Sequence, residues 1–480
     1  MKLSALLQDV PYIRIEGCSE MEISGLDFDS RRCKAGTAFG AIARESVDGH
    51  SYIDAAVANG ASVIVAKYPV EGVCTVVCEN PNETFSRMVA NFHGNPQSGM
   101  KLIGITGTKG KTSTAFYVKA ILDAQNGTKC GLMGTVQNMA GDEKLGDAHN
   151  STPEVTELYE LLSAMRQRGC THAVMEVSSH AMALGRVAGL QYACSVFTNL
   201  SQDHLNFHKT MENYLAAKAM LFAQSDTAVI NVDDPASAVV LDAATGKVRT
   251  LSTKCGDASL FARDIELKSD CVTFTAVADG AEASVTMPTP GLFSVYNALC
   301  ALGVAVSLGI LLTNAARAIE TAGGVPGRAE VVQIPADFRV VVDYAHSPDS
   351  VEKIVEATSE YTKGRLISIV GCGGNRDRTK RPKMAAAAAR GSDVVILTTD
   401  NPRDEVPEDI IAEMVPGLEG TKAESKIIVD RREAIHHALR IAKPGDTVLI
   451  MGKGHETYQE VRGVRSHFDD REEVRNYFKA

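Results

Sequence analysis

The 480-residue sequence predicts an α/β protein of three domains, and three observations predict it. Short β-branched apolar runs alternate with longer helical patterns almost throughout, the mark of βαβ units whose parallel strands are covered on both faces. Two stretches rich in glycine and proline, HGNPQSGM at 93–100 and AGGVPGRAE at 322–330, interrupt the alternation. The chain is also too long for one hydrophobic core of ordinary size. Together these divide it into 1–97, 98–325 and 326–480.

In chain order, the first domain is expected to carry a strand within ASVIVAK (61–67). The second carries KLIGIT (101–106) and HAVMEV (172–177). The third carries RVVVDY (339–344), RLISIVG (365–371), DVVILTT (393–399) and DTVLIMG (446–452), with the alanine run 385–389 as an ordinary helix interior. With 45% hydrophobic and 22% charged residues the chain reads as soluble and globular. A net charge of −10 with no basic tract disfavours a nucleic-acid surface, although a small anion could bind in a local positive site. The eleven cysteines are scattered, odd in number and without a CxxC pair, which argues against a disulfide framework and a zinc ribbon and for reduced cytosolic thiols. The first fifteen residues lack a signal-peptide core, and nowhere do 18 apolar residues run together. A cytoplasmic protein with no membrane partner is the expectation.

The strongest local signal is LIGITGTKGKTST. A strand runs into the turn Gly107-Thr108-Lys109-Gly110, followed by Lys111, Thr112 and a helix. Glycines let backbone N–H groups wrap phosphate oxygens, Lys111 can reach the β- and γ-phosphates, and the Thr112 hydroxyl can ligate Mg²⁺. The strict phosphate-loop pattern wants Gly or Ala at 105, where this chain has Ile105. Downstream, AVMEVSSHAMALGR puts Glu176 inside an otherwise apolar strand that ends in Ser178, Ser179 and His180. A carboxylate there faces solvent at the strand end or binds a cation beside the phosphates, and the strand alone does not choose. Asp203 and His204 in TNLSQDH sit in a turn that would serve equally as a helix cap. If 211–224 is a helix, Lys218 has Tyr214, Leu215, Leu221 and Phe222 as neighbours three and four residues away. Such a lysine either snorkels or, held on a buried face, loses its proton and becomes an amine that reacts with CO₂.

The segments GTKGKTS, MEVSSH, TNLSQDH, NYLAAKAMLF, SVYNALCA, PGRAE, VVVDYAHSPDSV and GKGHE, in that order over 104–456, resemble the Mur ligases, the ATP-dependent amide-forming enzymes of peptidoglycan precursor synthesis. With LDFDSRR near the N-terminus, the resemblance covers essentially the whole chain, and is to the branch that adds the third residue to UDP-N-acetylmuramoyl-L-alanyl-D-glutamate. It implies a small UDP-binding α/β domain first, a central P-loop ATPase-like parallel sheet, and a Rossmann-like C-terminal domain that binds the amino acid. By the same resemblance Gly107, Thr108, Lys109, Gly110, Lys111, Thr112 and Ser113 hold the ATP phosphates. Thr112 and Glu176 bind one Mg²⁺, and His204 binds a second with Lys218 as its carbamate. Asn297, Arg328 and Asp343 contact the nucleotide, the last two from the third domain as it closes on hinges near 97 and 325. Ser30 touches the UDP end, and Ser151, Thr152, Ser178 and Arg186 the muramoyl-dipeptide. Leu184 stands where some members carry a polar substrate contact, and the loop 44–50 differs from familiar forms.

The chemistry implied is transfer of the γ-phosphoryl of ATP to the D-glutamate side-chain carboxylate, followed by displacement of phosphate by an amine, with Lys111, Glu176, His204 and Lys218 as the catalytic set. Partners are then small molecules only, and the enzyme a monomer. The amine is expected to be meso-2,6-diaminopimelate rather than L-lysine. The two differ by one carboxylate, and Arg403, projected from the turn Asp400-Asn401-Pro402-Arg403 at a strand end, has the planar fork to pair it. In the resemblance DNPR marks the diaminopimelate-adding members. Arg376 would hold a carboxylate as well, with Asn401, Gly452 and Glu456 positioning the rest and Glu456 suiting the distal ammonium. Two other readings compete. Folylpolyglutamate synthetase shares the phosphate loop but not the DSR, DNPR and GKGHE segments, and a nucleotide switch without ligase activity would not need the Lys111, Glu176, His204 and Lys218 set.

Overall fold

The computed structural model describes every residue except 45–46, 147, 149, 269–270 and 480, so two positions of the 44–50 loop lie outside the described residues. The chain forms two compact units, one of Met1–Phe261 with Val277–Glu282 and Tyr296–Ala318, the other of Ala262–Ala276, Ala283–Val295 and Ile319–Ala480. The first of the three expected segments, 1–97, therefore lies in the same compact unit as most of the second.

Within the first unit, a five-stranded sheet has the order Arg14–Glu16, Cys74–Val77, Val63–Ala66, Thr37–Gly40, Gly25–Asp27. Its first pair is antiparallel and the rest are parallel. The larger sheet, of eleven strands, has at its centre the parallel run Lys247–Ser252, Thr227–Asn231, Cys194–Phe197, Lys101–Thr106, His172–Glu176, Cys130–Met133. Lys101–Thr106 lies in the middle, and Leu102 to Thr106 are all buried, as a strand covered on both faces requires. Every strand expected from an apolar run is present, Lys101–Thr106 over its full length and the others shortened by a residue or two at their ends.

In the second unit a six-stranded sheet has the order Glu330–Val331, Arg339–Asp343, Thr447–Met451, Leu366–Val370, Val394–Leu397, Glu424–Ile427, with only the first pair antiparallel. This is the open parallel arrangement in which ligand groups collect beyond the carboxyl ends of the strands. Helices Pro348–Ser359 and Lys380–Arg390 pack with an apolar cluster that includes Val341, Leu366, Val395 and Leu449, while Arg431–Ile441 and Asp470–Tyr477 pack with another that includes Val340, Ile367 and Ile396. No helix among the described residues is long and apolar enough to cross a membrane, and all eleven cysteines are free.

One expected element changes character. The helix over 211–224 is α-helical only for Met211–Ala219 and tightens into a 3₁₀ turn over Met220–Gln224, the common way for a helix to end when its last carbonyls bond three residues on. Thr210 caps its start by accepting from the Asn213 N–H.

The deepest polar feature of the second unit is a fully buried ion pair. Arg431 donates from Nε and Nη2 to the two Asp470 carboxylate oxygens, each at 2.7 Å, and neither side chain is exposed. The same guanidinium donates to the Met451 and Thr399 carbonyls, tying together the carboxyl ends of two parallel strands that flank Leu366–Val370. Removing the cation alone leaves Asp470 buried and unpaired. Arg431→Met is therefore expected to lower the urea-unfolding free energy of this unit by about 3–5 kcal/mol, and Arg431→Met with Asp470→Leu to lower it by less.

Candidate active site

In the first unit the strand Lys101–Thr106 delivers the chain into the glycine turn, and the helix Lys111–Asp123 starts at once. Gly107 has φ +145°, and a Cβ there would lie 1.9 Å from the Thr198 hydroxyl, so only glycine fits. The turn is held from the next parallel strand. Asn199 Oδ1 accepts from the Lys109 N–H at 2.9 Å, and Thr198 donates to the Lys109 carbonyl at 2.7 Å. Asn297 approaches from the other side, where a Cβ on Gly110 would meet its Oδ1 at 2.3 Å. Ser113 lies half-buried in the first helical turn.

Lys111 folds back onto its own loop, donating to the Gly107 carbonyl at 2.9 Å and the Thr108 carbonyl at 3.0 Å. The buried Lys218 donates to that same Gly107 carbonyl at 2.9 Å, with its Nζ 4.5 Å from the centre of the Tyr214 ring. Burial, and then the charge of Lys111, push the Lys218 pKa well below that of an ordinary lysine, against a weaker pull from Asp203. Of the two expectations for Lys218, the side chain is buried and does not snorkel to solvent.

Glu176 ends its strand only 1% exposed. Its Oε1 accepts from the Thr112 hydroxyl at 3.0 Å and the Thr135 N–H at 2.8 Å, and its Oε2 from the Thr135 hydroxyl at 3.1 Å. Thr135 was missed by the sequence reading, because its partner lies 41 residues away. Around this carboxylate the structure gathers the four residues expected to meet the muramoyl-dipeptide. Ser151 bonds Thr135, Thr152 donates to the Glu176 carbonyl and accepts from the Ser178 N–H, and Arg186 donates to the Thr152 carbonyl while pairing with Glu154 at 2.7 Å. Ser30 stands apart, buried at a 3₁₀ turn where its carbonyl accepts from Asn59. A cavity of about 760 Å³, the size of a small-ligand site, opens in this unit between Asp48, His50, Lys67 and Asn82 on one side and Leu184 and Gln191 on the other.

A hard cation suits the Thr112 and Glu176 oxygens, a hydroxyl and a carboxylate already in mutual contact beside a phosphate-type loop. His204 takes a left-handed backbone with φ 53°, its half-exposed ring edge-on to His180 at 4.8 Å. Among the described residues no group of three or more His, Cys, Asp and Glu is poised for a metal.

In the second unit, three strand ends build a separate constellation. Asp343 accepts from the N–H groups of Ala329 and Ala345, both at 2.7 Å, and the Arg328 guanidinium lies 5.0 Å from the Tyr344 ring centre. Asn401 donates to Glu456 Oε2 at 2.8 Å and accepts from Lys453 Nζ at 3.1 Å. The Gly452 backbone passes so close to Asp400 that a Cβ would lie 2.4 Å from its Oδ2. Burial, with the neighbouring Asp400 charge, raises the Glu456 pKa, and Lys453 opposes the rise. Lys453, wholly buried, is the member of GKGHE that the sequence reading passed over.

Arg403 adopts φ 52° just after Pro402, and its guanidinium donates to the Gly374 carbonyl at 2.9 Å. It pairs with neither adjacent carboxylate. Glu405 is taken by Arg381 at 2.8 and 2.9 Å and by the Asn375 N–H, and Asp404 by Asn375. No carboxylate among the described residues forms an ion pair with Arg403, and Arg376 is exposed one residue beyond Asn375.

The profiles of three families match in sequence: the Mur ligase family catalytic domain over 22–86, the Mur ligase middle domain over 105–305, and the Mur ligase glutamate ligase domain over 327–454. A UDP-N-acetylmuramoyl-L-alanyl-D-glutamate--2,6-diaminopimelate ligase from Caldanaerobacter subterraneus subsp. tengcongensis is 43% identical, the alignment covering 99% of this chain and 98% of the relative. A ligase with the same name from Clostridium acetobutylicum is 42% identical over 100% of this chain and 99% of its own length. A solved structure of a 2,6-diaminopimelate ligase of that name superposes with a TM-score of 0.72 at 33% identity, covering 100% of this chain and 99% of that one. Folylpolyglutamate synthase of Mycobacterium tuberculosis, at 19% identity, a TM-score of 0.60 and 76% of this chain (91% of its own), shares the fold alone.

Gly107→Ala sets a methyl against Thr198 in a backbone that only glycine holds without strain of about 1–3 kcal/mol. The loop must shift, and binding of a fluorescent ATP analogue, followed by titration, is expected to weaken by more than about tenfold.

Proposed function

The chain belongs to the Mur ligase family, and from that membership we propose that it is an ATP-dependent ligase joining meso-2,6-diaminopimelate to the D-glutamate side-chain carboxylate of UDP-N-acetylmuramoyl-L-alanyl-D-glutamate, in peptidoglycan precursor synthesis. The three matched segments fall one in each of 1–97, 98–325 and 326–480, which supports a UDP-substrate domain, an ATP-binding domain and an amino-acid domain with those limits. A monomer working in the cytoplasm on small molecules belongs to the same reading.

A carboxylate is a poor acyl donor, so the γ-phosphoryl of ATP is transferred to it and ADP departs. The amine then attacks the acyl carbon, phosphate leaves through a tetrahedral intermediate, and the nitrogen sheds a proton. No protein nucleophile is required. Gly107 to Ser113 cradle the phosphates, and Lys111 exchanges its two loop carbonyls for phosphate oxygens. Ser151, Thr152, Ser178 and Arg186, gathered around Glu176, orient the dipeptide. Thr112 and Glu176 would hold one Mg²⁺ and His204 with carbamylated Lys218 a second, and the bound ions would supply positive charge where phosphate and carboxylate crowd together.

Arg403 is the observation that carries the choice of amine. Its fork has one carbonyl acceptor and no carboxylate, and it stands on the turn that bears Asp400 and Asn401, with Glu456 bonded to that turn. A cation beside two carboxylates suits the ammonium and carboxylate of the far end of diaminopimelate, whereas lysine would leave the guanidinium unmatched. Leaving such a charge unpaired costs several kcal/mol, so preference for diaminopimelate is expected to exceed about a hundredfold in kcat/KM. Competition of the two amines in one reaction, with the UDP-tripeptide weighed by mass spectrometry, decides it. Comparable lysine incorporation, or undiminished diaminopimelate use by Arg403→Ala, sinks the assignment.

Two lysines sharing the Gly107 carbonyl favour the neutral form of Lys218, the form that adds CO₂. Lys218→Ala is expected to lose nearly all ligase activity and to regain part of it when short carboxylates such as acetate are added. Full activity in the alanine variant rules the carbamate out.

A further inference from the structure

We propose that Lys453 is a positioning residue for the amine substrate: it holds one oxygen of Glu456 and so leaves the other for the ammonium of the incoming amino acid. The inference rests on the ligase reading above and assigns a role to a residue outside the substrate contacts named there. Lys453 follows the strand Thr447–Met451 by two residues and has no exposed surface. Its Nζ makes an ion pair with Glu456 Oε2 at 3.2 Å and donates to Asn401 Oδ1 at 3.1 Å, 5.4 Å from the centre of the Tyr458 ring.

Glu456 Oε2 is therefore doubly engaged, by Lys453 and by Asn401 Nδ2 at 2.8 Å. Glu456 Oε1 accepts no hydrogen bond from the described residues, and the side chain keeps 16% of its surface open. The second oxygen is the one an ammonium can reach. Asn401 cannot turn away, because its Oδ1 also accepts from the Glu460 N–H at 3.0 Å. The three side chains form a closed triangle whose single vacant acceptor is on Glu456.

Charge makes the lysine more than a brace. The charged or titratable groups facing Glu456 are Asp400 from the turn after Val394–Leu397, Tyr344 after Arg339–Asp343, Tyr458 from the hairpin, Arg431 from its helix, and Lys453 itself. Burial and Asp400 both favour the protonated acid, which would lose the negative charge that attracts an ammonium. Lys453 is the cation in direct contact that opposes them. Its removal lets the Glu456 pKa climb further, so amine binding, which needs the carboxylate, is lost at a higher pH as acid is added.

The test uses the full-length enzyme with ATP, the UDP-dipeptide and diaminopimelate. Lys453→Met, close in volume but uncharged, is expected to raise KM for diaminopimelate by about tenfold or more. The acid limb of kcat/KM for the amine should move up by roughly one to three pH units, while KM for ATP and for the UDP-dipeptide is unchanged. Glu456→Gln should abolish that limb, and Lys453→Met with Glu456→Gln should be no worse than Glu456→Gln alone, since the lysine acts through the carboxylate. A purely structural lysine predicts additive losses and an unmoved pH profile, and either result overturns the proposal. If Lys453→Met does not fold, the double variant, which removes both buried charges, carries the comparison, and failure of both to fold overturns it too. Wild-type enzyme that ligates no diaminopimelate refutes the ligase reading instead, whereas active wild type with an indifferent Lys453→Met refutes only this inference.

Discussion

A charge taken out of water must be matched or surrendered, and buried charged side chains dictate what surrounds them here, among them Glu176, Lys218, Arg381, Arg431 and Lys453, none more than 2% exposed. Each is tied to the carboxyl end of a parallel strand. Glu176 closes one, Lys453 follows another by two residues, and Lys218 reaches the first carbonyl of the turn that follows a third. Arg431 clasps the Met451 and Thr399 carbonyls, and Arg381 holds Glu405 in the turn that carries Arg403. The faces of these sheets are occupied by apolar helix packing, so spare carbonyls, N–H groups and carboxylates are found only where strands end. The same constraint that expels charge from the faces therefore concentrates it where a ligand can be met.

The pairing of Arg403 depends on this indirectly. Arg381 takes Glu405, Glu405 also accepts from the Asn375 backbone, and Asn375 takes Asp404. Asp404 and Glu405, the carboxylates that follow Arg403 in sequence, are thereby committed to other partners, so the Arg403 guanidinium is left with the Gly374 carbonyl by the competition of better donors and not by isolation.

Much of this was readable in the sequence, and what was not has a physical reason. The parallel strands showed as short β-branched runs because burial on both faces demands them, and the turn at Gly107 showed because a +145° φ and a 1.9 Å approach leave no residue but glycine. Glu176 and Lys218 could be noticed as charges in apolar company, although only the fold chose between solvent and site. Thr135 and Arg431 could not, since their partners lie 41 and 39 residues away and each sits in a locally ordinary segment. Arg431 in DRREAIHH reads as the polar start of an exposed helix, and nothing local marks it as a buried cation. The division into two compact units, with 1–97 joined to the central sheet, likewise depends on packing between distant segments such as Asn82 and Leu184 and carries no signature in either.

The two buried lysines show how far residue type falls short of function. Lys218 and Lys453 are 1% and 0% exposed, and each sits over a tyrosine ring, at 4.5 and 5.4 Å. Only their polar partners differ. Lys453 meets a carboxylate and an amide oxygen, so its charge is matched and the ammonium serves as a fixed strut. Lys218 meets a carbonyl already engaged by Lys111, and with like charge beside it and water excluded its pKa is pushed well below that of an ordinary lysine. The difference between a charge that is matched and one that is disfavoured thus lies in the acceptor each lysine meets, which is why it is settled by the fold and not by the letter K.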